Sequence, residues 1–363
     1  ERVAGIRRFC ADGSPLVEEI GETVDNKTEE KRPYPMTALD TNISDCALVF
    51  EGGGYRGAYT AGFARVLLEQ QFHFGFVCGL SAGASHTVDY TSRDLHRTRA
   101  AFLARKPAGV QIGGIRSIVQ GTGLFNADYL YAGCVEDGFL PFDWETFCAN
   151  SAQVRIQTFE RDTGRTVTFG KEDMPDVMTM INLVRASSTL PGAMKPLPVN
   201  GRVLLDGGLG KGAGIPVRLA EEAGYRRFFF VATRPKGYRK QPPTKRELRM
   251  QNLVSRDYPY LRNAMLTRWE RYNEELARVE RLAREGRCLI VYPDAMPVES
   301  DTLSTARLTE AYDRGHAQGM RDLPIWREFL FGSADAGPHP DPSAIQAQIR
   351  EADGDDGYIV IEP

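Results

Sequence analysis

Two glycine-rich stretches have the composition and spacing of turns that do chemistry at the end of a β-strand. The first, FEGGGYRGAY at 50–59, contains a G-x-G-x-x-G pattern directly after the apolar run 47–50. This pattern allows two kinds of site. One is a turn that binds the pyrophosphate of a dinucleotide, and the other is a loop whose backbone N–H groups stabilise a developing oxyanion.

The second stretch, GLSAG at 79–83, decides between these two sites. A dinucleotide-binding unit places an acidic residue about 20 residues after the glycines to bind the ribose hydroxyls. The segment VCGL at 77–80 has no carboxylate there. It leads instead into Ser81, where Gly79 and Gly83 relieve crowding on a sharp strand-to-helix turn that exposes a nucleophilic hydroxyl. Taken alone, the pentapeptide is also compatible with a tight turn and an inert serine.

A nucleophile at Ser81 gives the first stretch a function as an oxyanion loop. We predict an oxyanion hole at Gly52, Gly53 and Gly54, with the N–H groups of Gly53 and Gly54 as its donors. One such donor contributes about 3–4 kcal/mol to transition-state stabilisation. Successive βα units place both turns at the carboxyl ends of neighbouring strands, where open α/β sheets have their sites.

The serine also needs a group that accepts its proton. His86 lies on the helix that follows Ser81 and points away from the turn, so we expect it to be structural. His316 could reach the site only through long-range folding. Asp206, in LLDGG at 204–208, ends an apolar strand and is followed by two glycines that leave room for a carboxylate. We predict Asp206 as the base, although an aspartate that only forms a turn would look the same in this segment.

Bulk composition excludes several classes of protein. The formal net charge of -3 and the pI of about 6.1 argue against a nucleic-acid partner. The five His have no metal-ligand spacing, so no metal is expected, and the six Cys contain no C-x-x-C and are expected to be reduced. No apolar run reaches the ~18 residues of a membrane span. We expect a cytoplasmic protein that can associate peripherally with a membrane.

Short apolar runs alternate with amphipathic ones, which predicts βαβ units and a mostly parallel sheet with helices on both faces. We predict strands over 47–50, 74–80, 154–160, 165–169, 202–205, 227–232 and 288–292, and helices over 58–71, 82–91, 174–186, 215–223 and 304–320.

The composition changes after residue 235. Residues 236–290 contain about 14 Lys and Arg against about 7 Asp and Glu, and an apolar stripe at three- and four-residue steps predicts a helix of about 28 residues. The basic excess is either a solvated helix face or a surface that meets anionic lipid headgroups. Residues 1–45 are expected to form an irregular arm, 236–331 a mainly helical region, and 332–363 a flexible acidic tail.

Taken together, the motifs resemble those of the patatin-like phospholipase family. GGGYRG at 52–57 resembles its G-G-G-x-R-G loop, and GLSAG its G-x-S-x-G elbow. ASSTLPG at 186–192 and DGG at 206–208 resemble its remaining two segments, in family order within 46–235. The region after 235 looks like the helical extension of bacterial members. Thr189 stands where the family usually has Ala.

The resemblance implies a three-layer α/β/α fold and a Ser81–Asp206 dyad that works without histidine, metal or cofactor. It implies hydrolysis of fatty-acyl esters, of the phospholipase A or lysophospholipase type, through an acyl-enzyme. Arg56 would either tie down the loop or meet a phospholipid phosphate. The alternatives are a carboxylesterase or thioesterase for soluble esters, and a membrane-associated binding protein without turnover. The oligomeric state is left open.

Overall fold

The computed structural model describes residues 39–114, 117, 123–196 and 198–353. They belong to one compact unit that begins at residue 38. Of the predicted N-terminal arm, residues 1–38 lie outside the described part, as do residues 354–363 of the predicted tail.

The described strands form a single sheet in the order β5-β6-β3-β2-β1-β7-β8, with β4 paired to β3. The strands are β1 Cys46–Phe50, β2 Phe76–Gly79, β3 Gln153–Glu160, β4 Thr166–Phe169, β5 Pro198–Val199, β6 Arg202–Asp206, β7 Arg227–Val231 and β8 Cys288–Val291. The neighbouring strands in the part β3-β2-β1-β7-β8 of this order are parallel. Strands β4 and β6 run antiparallel to β3, and β5 runs antiparallel to β6. The prediction of a mostly parallel α/β sheet is confirmed.

Helices connect the strands and continue after the last one. The longer helices are α1 Gly57–Glu69, α2 Ala82–Thr91, α3 Leu95–Ala100, α4 Trp144–Ala149, α5 Val177–Ser188, α6 Val217–Glu222, α7 Lys245–Val254, α8 Pro259–Leu266, α9 Arg268–Arg284, α10 Thr305–Phe331 and α11 Pro342–Asp353. A π-helical segment, Asp128–Gly133, runs into one α-helical turn at Cys134–Glu136. None of the described helices is long and apolar enough to cross a membrane.

Helices cover both faces of the sheet. Alternate side chains of its central strands therefore pack in two different hydrophobic cores. Leu48 and Phe50 pack in one core with residues of α1 and α10. Ala47 and Val49 pack in another with residues of α6 and α9. All five residues of β1 are fully buried, as expected for a parallel strand covered on both sides. The architecture is the predicted three-layer sandwich.

Two helices differ from the predictions. The helix of about 28 residues is interrupted at Thr267, between α8 and α9, where the Thr267 hydroxyl donates to the carbonyl of Asn263 at 2.9 Å. A threonine that bonds back in this way bends a helix. The helix predicted to end at 320 continues to Phe331, through Pro324, because Trp326 and Leu330 are buried in the core beside α1.

The region after residue 235 is joined to the same sheet. Strand β8 pairs with β7 along its whole length, and Tyr272, Leu276 and Val279 of α9 pack on the sheet. Part of the predicted flexible tail also has defined structure. Residues 342–353 form α11, and the buried Asp353 carboxylate accepts a hydrogen bond from Arg65 at 3.0 Å.

Candidate active site

Ser81 occupies a strained turn between β2 and α2. Its backbone has φ 54° and ψ -127°, a conformation that non-glycine residues rarely adopt. The flanking glycines permit close packing: a Cβ built at Gly79 would collide with the carbonyl of Gly83, and one built at Gly83 would collide with the carbonyl of Phe50. The Ser81 N–H donates to the Ser187 hydroxyl at 2.9 Å. The predicted elbow is therefore present, and contacts from β1 and α5 hold it in place.

The glycine loop lies directly beside this turn. A Cβ built at Gly52 would be 3.3 Å from the Ser81 Cβ. The Gly52 N–H donates to the carbonyl of Gly214 at 3.1 Å, so its inclusion in the predicted oxyanion hole is wrong for that amide. The amides of Gly53 and Gly54 make no hydrogen bond to other described residues. Gly54 has φ 56°, which turns the loop into the first helical turn of α1.

The topology of β3 places Asp206 and Ser81 at the same cavity. Strand β4 occupies one edge of β3 and pairs there with both Ile156 and Thr158. On the other edge, Ile156 pairs with Gly79 of β2 and Thr158 pairs with Asp206 of β6. Strands β2 and β6 therefore share one edge of β3 and meet with their carboxyl ends facing each other. Asp206 is 1% exposed, and its Oδ1 accepts from the Gly208 N–H at 2.8 Å.

Ser81, Asp206 and the three glycines line one cavity of about 290 Å³. This volume is near the lower end of the range for ligand pockets. Much of the wall is apolar and comes from α2, α5 and the segment 101–140. The apolar lining residues are Val88, Ala101, Phe102, Phe125, Leu130, Leu140, Ile181, Val184, Leu190 and Met194. We call these residues the apolar wall. It has the chemistry of a site for an acyl chain.

Besides Arg97, which is paired with Asp89, four basic residues line the same cavity: Arg56, Arg234, Lys240 and Arg268. We call them the basic cluster. The sequence reasoning singled out only Arg56. Arg56 is 9% exposed, and its guanidinium nitrogen Nη1 lies 3.9 Å from the Glu299 carboxylate. One Arg268 nitrogen lies 4.0 Å from Asp206 Oδ1. Burial lowers the pKa of Arg56, and neighbouring Arg234 lowers it further.

A buried ion pair also lines the cavity. Arg97 Nε donates to Asp89 at 2.8 Å, and another guanidinium nitrogen donates to the carbonyls of Leu140 and Pro141. Burial raises the pKa of Asp89 to about 6, although Arg97 acts in the opposite direction. The pair ties α2 to the segment that supplies part of the apolar wall. Sequence patterns gave no sign of it.

Neither histidine considered as a base lines the cavity. His86 is buried, stacks on Phe102 with ring centroids 4.1 Å apart, and bonds Thr60 at 2.8 Å. Burial lowers its pKa to about 3, so the ring is neutral. His316 bonds Glu69 at 2.8 Å. Four buried cysteines, Cys46, Cys78, Cys134 and Cys288, are free, and no described group of three His, Cys, Asp or Glu side chains could hold a metal ion.

Two supporting residues were missed. The buried Ser187 hydroxyl accepts from the Ser81 N–H and donates to the carbonyl of Gln157 at 2.7 Å. The Gln157 side-chain amide donates to the carbonyls of Gly207 and Lys211. Together they connect the serine turn, β3 and the segment after Asp206. Ser187 lies inside the motif ASSTLPG, so its place in the sequence was a usable signal, whereas Gln157 is an ordinary strand residue.

Comparisons with known proteins find two family matches in the chain. Residues 48–220, which include Ser81 and Asp206, match the family model of patatin-like phospholipases. The chain has a patatin-like phospholipase domain. A second family model, a domain of unknown function (DUF6363), matches residues 258–331. The patatin-like domain thus includes β1 to β6, and the second match begins at α8 and ends with α10.

Individual relatives of the patatin-like domain are distant. The uncharacterized protein YjjU of Escherichia coli (strain K12) is 26% identical over 191 residues, which are 52% of this chain and 52% of that protein. The chain therefore matches about half the length of this curated relative. Among solved structures, VipD from Legionella pneumophila superposes with a TM-score of 0.34 and 11% identity, over 90% of this chain and 84% of that one. A similarity this low supports no argument about the site.

Proposed function

We propose that the protein is a serine acyl hydrolase that cleaves fatty-acyl esters of lipids, with phospholipids as the main substrates. One observation supports this more than any other. Ser81, on a strained turn, and Asp206, at the end of an antiparallel strand, meet in one cavity beside two glycine amides that have no other described partner. The patatin-like family match supports the same class of reaction.

In the proposed reaction, Ser81 Oγ attacks the ester carbonyl while Asp206 accepts its proton. The N–H groups of Gly53 and Gly54 donate to the carbonyl oxygen as it becomes negative. The tetrahedral intermediate then expels the alcohol, which takes a proton from Asp206, and leaves an acyl group on Ser81. Water then gives a proton to Asp206 and attacks the acyl carbonyl carbon. Ser81 Oγ leaves as it takes that proton from Asp206, and the fatty acid is released. The acyl chain would lie along the apolar wall.

Access to a lipid surface is part of the proposal. Helices α7 and α8 expose Met250, Leu253 and Tyr260, which are 55%, 68% and 54% exposed, within the basic stretch 236–290. A Cβ built at Gly192 would lie 2.7 Å from Val254, so α7 ends beside the loop that contributes Leu190 and Met194 to the apolar wall. Exposed apolar residues among arginines suit peripheral contact with an anionic membrane.

The proposal can be tested with a fluorophosphonate probe and a fatty-acid assay on mixed phospholipid vesicles. Ser81→Ala should lose the label and at least about 10⁴-fold in kcat. Asp206→Asn should lose about 10²–10⁴-fold because the serine no longer has its base. Ser85→Ala, which removes another serine that lines the same cavity, should still be labelled. Labelling that persists in Ser81→Ala would exclude the dyad.

The same assay separates the alternatives. An enzyme for soluble esters or thioesters would prefer short monomeric substrates to vesicles, so an acyl-chain series distinguishes it from a lipid hydrolase. A binding protein without turnover would bind vesicles and hydrolyse none of the esters. Either result would replace the lipid-hydrolase proposal, whereas faster hydrolysis of long-chain vesicle lipids supports it.

A further inference from the structure

The basic cluster is unusual because its charges lie inside the catalytic cavity. Arg56 follows the glycine loop, Arg234 and Lys240 follow β7, and Arg268 begins α9. Three of the four therefore come from outside residues 48–220, and Arg268 lies within the domain of unknown function. All four line the same cavity as Ser81.

Local contacts hold the cluster in position without neutralising it. The Arg234 guanidinium lies 4.4 Å from the centre of the Tyr238 ring, and the Lys240 ammonium lies 4.9 Å from that of Tyr272. The Lys240 backbone makes two hydrogen bonds to the Asn273 side chain, at 2.8 and 2.9 Å. Aromatic faces attract cations through the ring quadrupole and leave their charge available to another partner.

The carboxylates near the basic cluster do not neutralise its four cations. Glu51 is buried, and its two oxygens accept from the Tyr272 hydroxyl at 2.6 Å and from the Thr233 N–H at 2.5 Å. Glu299, near Arg56, has a side chain that is 70% exposed. Asp206 lies 4.0 Å from Arg268.

Two further observations show that the positive charge of the basic cluster is not fully compensated by carboxylates. Within the described residues, neither Arg234 nor Lys240 has an acidic oxygen within 4.0 Å, and the buried Nε of Arg56 has no hydrogen-bond partner. Burial and the charges of Arg268, Arg234 and Arg56 lower the pKa of Lys240 to about 7, while Glu51 acts to raise it. Cations that lower one another's pKa in this way repel each other, and an incoming anion stabilises their charged forms.

We propose that the basic cluster is a subsite for the headgroup of the substrate, and that it selects lipid esters whose headgroup has a net negative charge. This inference rests on the proposed acyl hydrolase. The apolar wall would take the acyl chain, Ser81 the ester, and the cluster the anionic group of the same molecule. The region after residue 220 thereby supplies substrate specificity to the patatin-like domain.

Short-chain lipids that stay monomeric test this inference without the attraction of a charged membrane. We would compare kcat/KM for dihexanoyl phosphatidylglycerol and dihexanoyl phosphatidylcholine, which share acyl chains and differ in net charge. The ratio should favour the anionic lipid by at least about tenfold, the effect of one charge-assisted hydrogen bond. In Arg234→Gln and Lys240→Gln the ratio should fall towards one.

Two controls keep the result specific. Lys240→Arg preserves the charge and should preserve the ratio. Lys245→Gln removes an exposed charge from the same basic stretch and should leave the ratio as in the wild type. A wild-type ratio near one, or a ratio that survives in both Gln variants, would overturn the headgroup subsite while ester hydrolysis continues. Failure of the proposed function looks different, because neither lipid is then hydrolysed and Ser81 is not labelled.

Discussion

Replacing Gly83 by alanine tests how closely the serine turn must approach the glycine loop. A Cβ at this position would lie 2.8 Å from the carbonyl carbon of Phe50 and 3.0 Å from the carbonyl oxygen of Glu51. Restoring ordinary van der Waals distances requires the two turns to separate by about 1 Å. The colliding atoms belong to the backbone of Phe50 and Glu51, at the end of β1, so the collision cannot be relieved by moving a flexible side chain.

Two effects on stability oppose each other. Alanine gains up to about 1 kcal/mol over glycine in a helix, whereas forced overpacking costs about 1–3 kcal/mol. We expect a net loss in the free energy of unfolding, measured by urea denaturation. The separation also moves Ser81 away from the amides of Gly53 and Gly54. A misplacement of about 1 Å reduces the rate roughly 10²-fold, so kcat/KM for a soluble ester should fall by that factor.

Gly75→Ala is a matched control. A Cβ there would be 3.4 Å from the carbonyl of Ile43, an ordinary contact, and Gly75 has no positive φ. The control should stay within about 1 kcal/mol of the wild type and keep its activity. If Gly83→Ala retains kcat/KM to within about threefold and unfolds like Gly75→Ala, the close approach does not position the site.

Three further changes have defined outcomes. Trp326→Ala should lower the free energy of unfolding by about 3–5 kcal/mol in urea denaturation, because the side chain is 1% exposed, whereas Ile325→Ala, at 56% exposure, should change it by less than about 0.5 kcal/mol. Asp89→Ala leaves the buried Arg97 without its acid and should cost about 3–5 kcal/mol in the same assay. For an anionic ester, kcat/KM should fall as the pH rises through about 7, because Lys240 then loses its proton; a flat profile in the wild type, or the same fall in Lys240→Arg, would contradict this.

Much of the candidate site could be predicted because its parts are local. The Ser81 turn, the glycine loop and Asp206 each combine a short motif with the end of an apolar strand, and such strands end at one edge of a parallel sheet. The arrangement of strands that brings Asp206 to the Ser81 turn could not be predicted from any local sequence pattern. Strand β6 runs antiparallel on the same edge of β3 that β2 occupies, so that Asp206 approaches Gly79 from the opposite direction.

The remaining features depend on packing between distant parts of the chain. Lys240 and Arg268 look like ordinary surface residues in a basic stretch. Helix α9, which provides Arg268 and holds the Lys240 backbone through Asn273, brings them to the cavity. The sequence also gives no sign that the Gly52 N–H donates to the carbonyl of Gly214, 162 positions later. Likewise, α10 appeared to end at polar residues, although Trp326 extends it into the core.

The anchoring of the glycine loop has a consequence for the order in which the parts of the candidate site become fixed during synthesis. The Tyr55 N–H donates to the carbonyl of Ser300 at 3.0 Å, and Glu51 accepts from Tyr272, 221 positions later in the chain. A ribosome has therefore translated Ser81 and Asp206 well before the loop has both anchors. The nascent chain contains Ser81 and Asp206 early, but its glycine loop has both anchors only after Ser300 has left the exit tunnel. The glycine loop therefore takes its final position later than the Ser81 turn and Asp206.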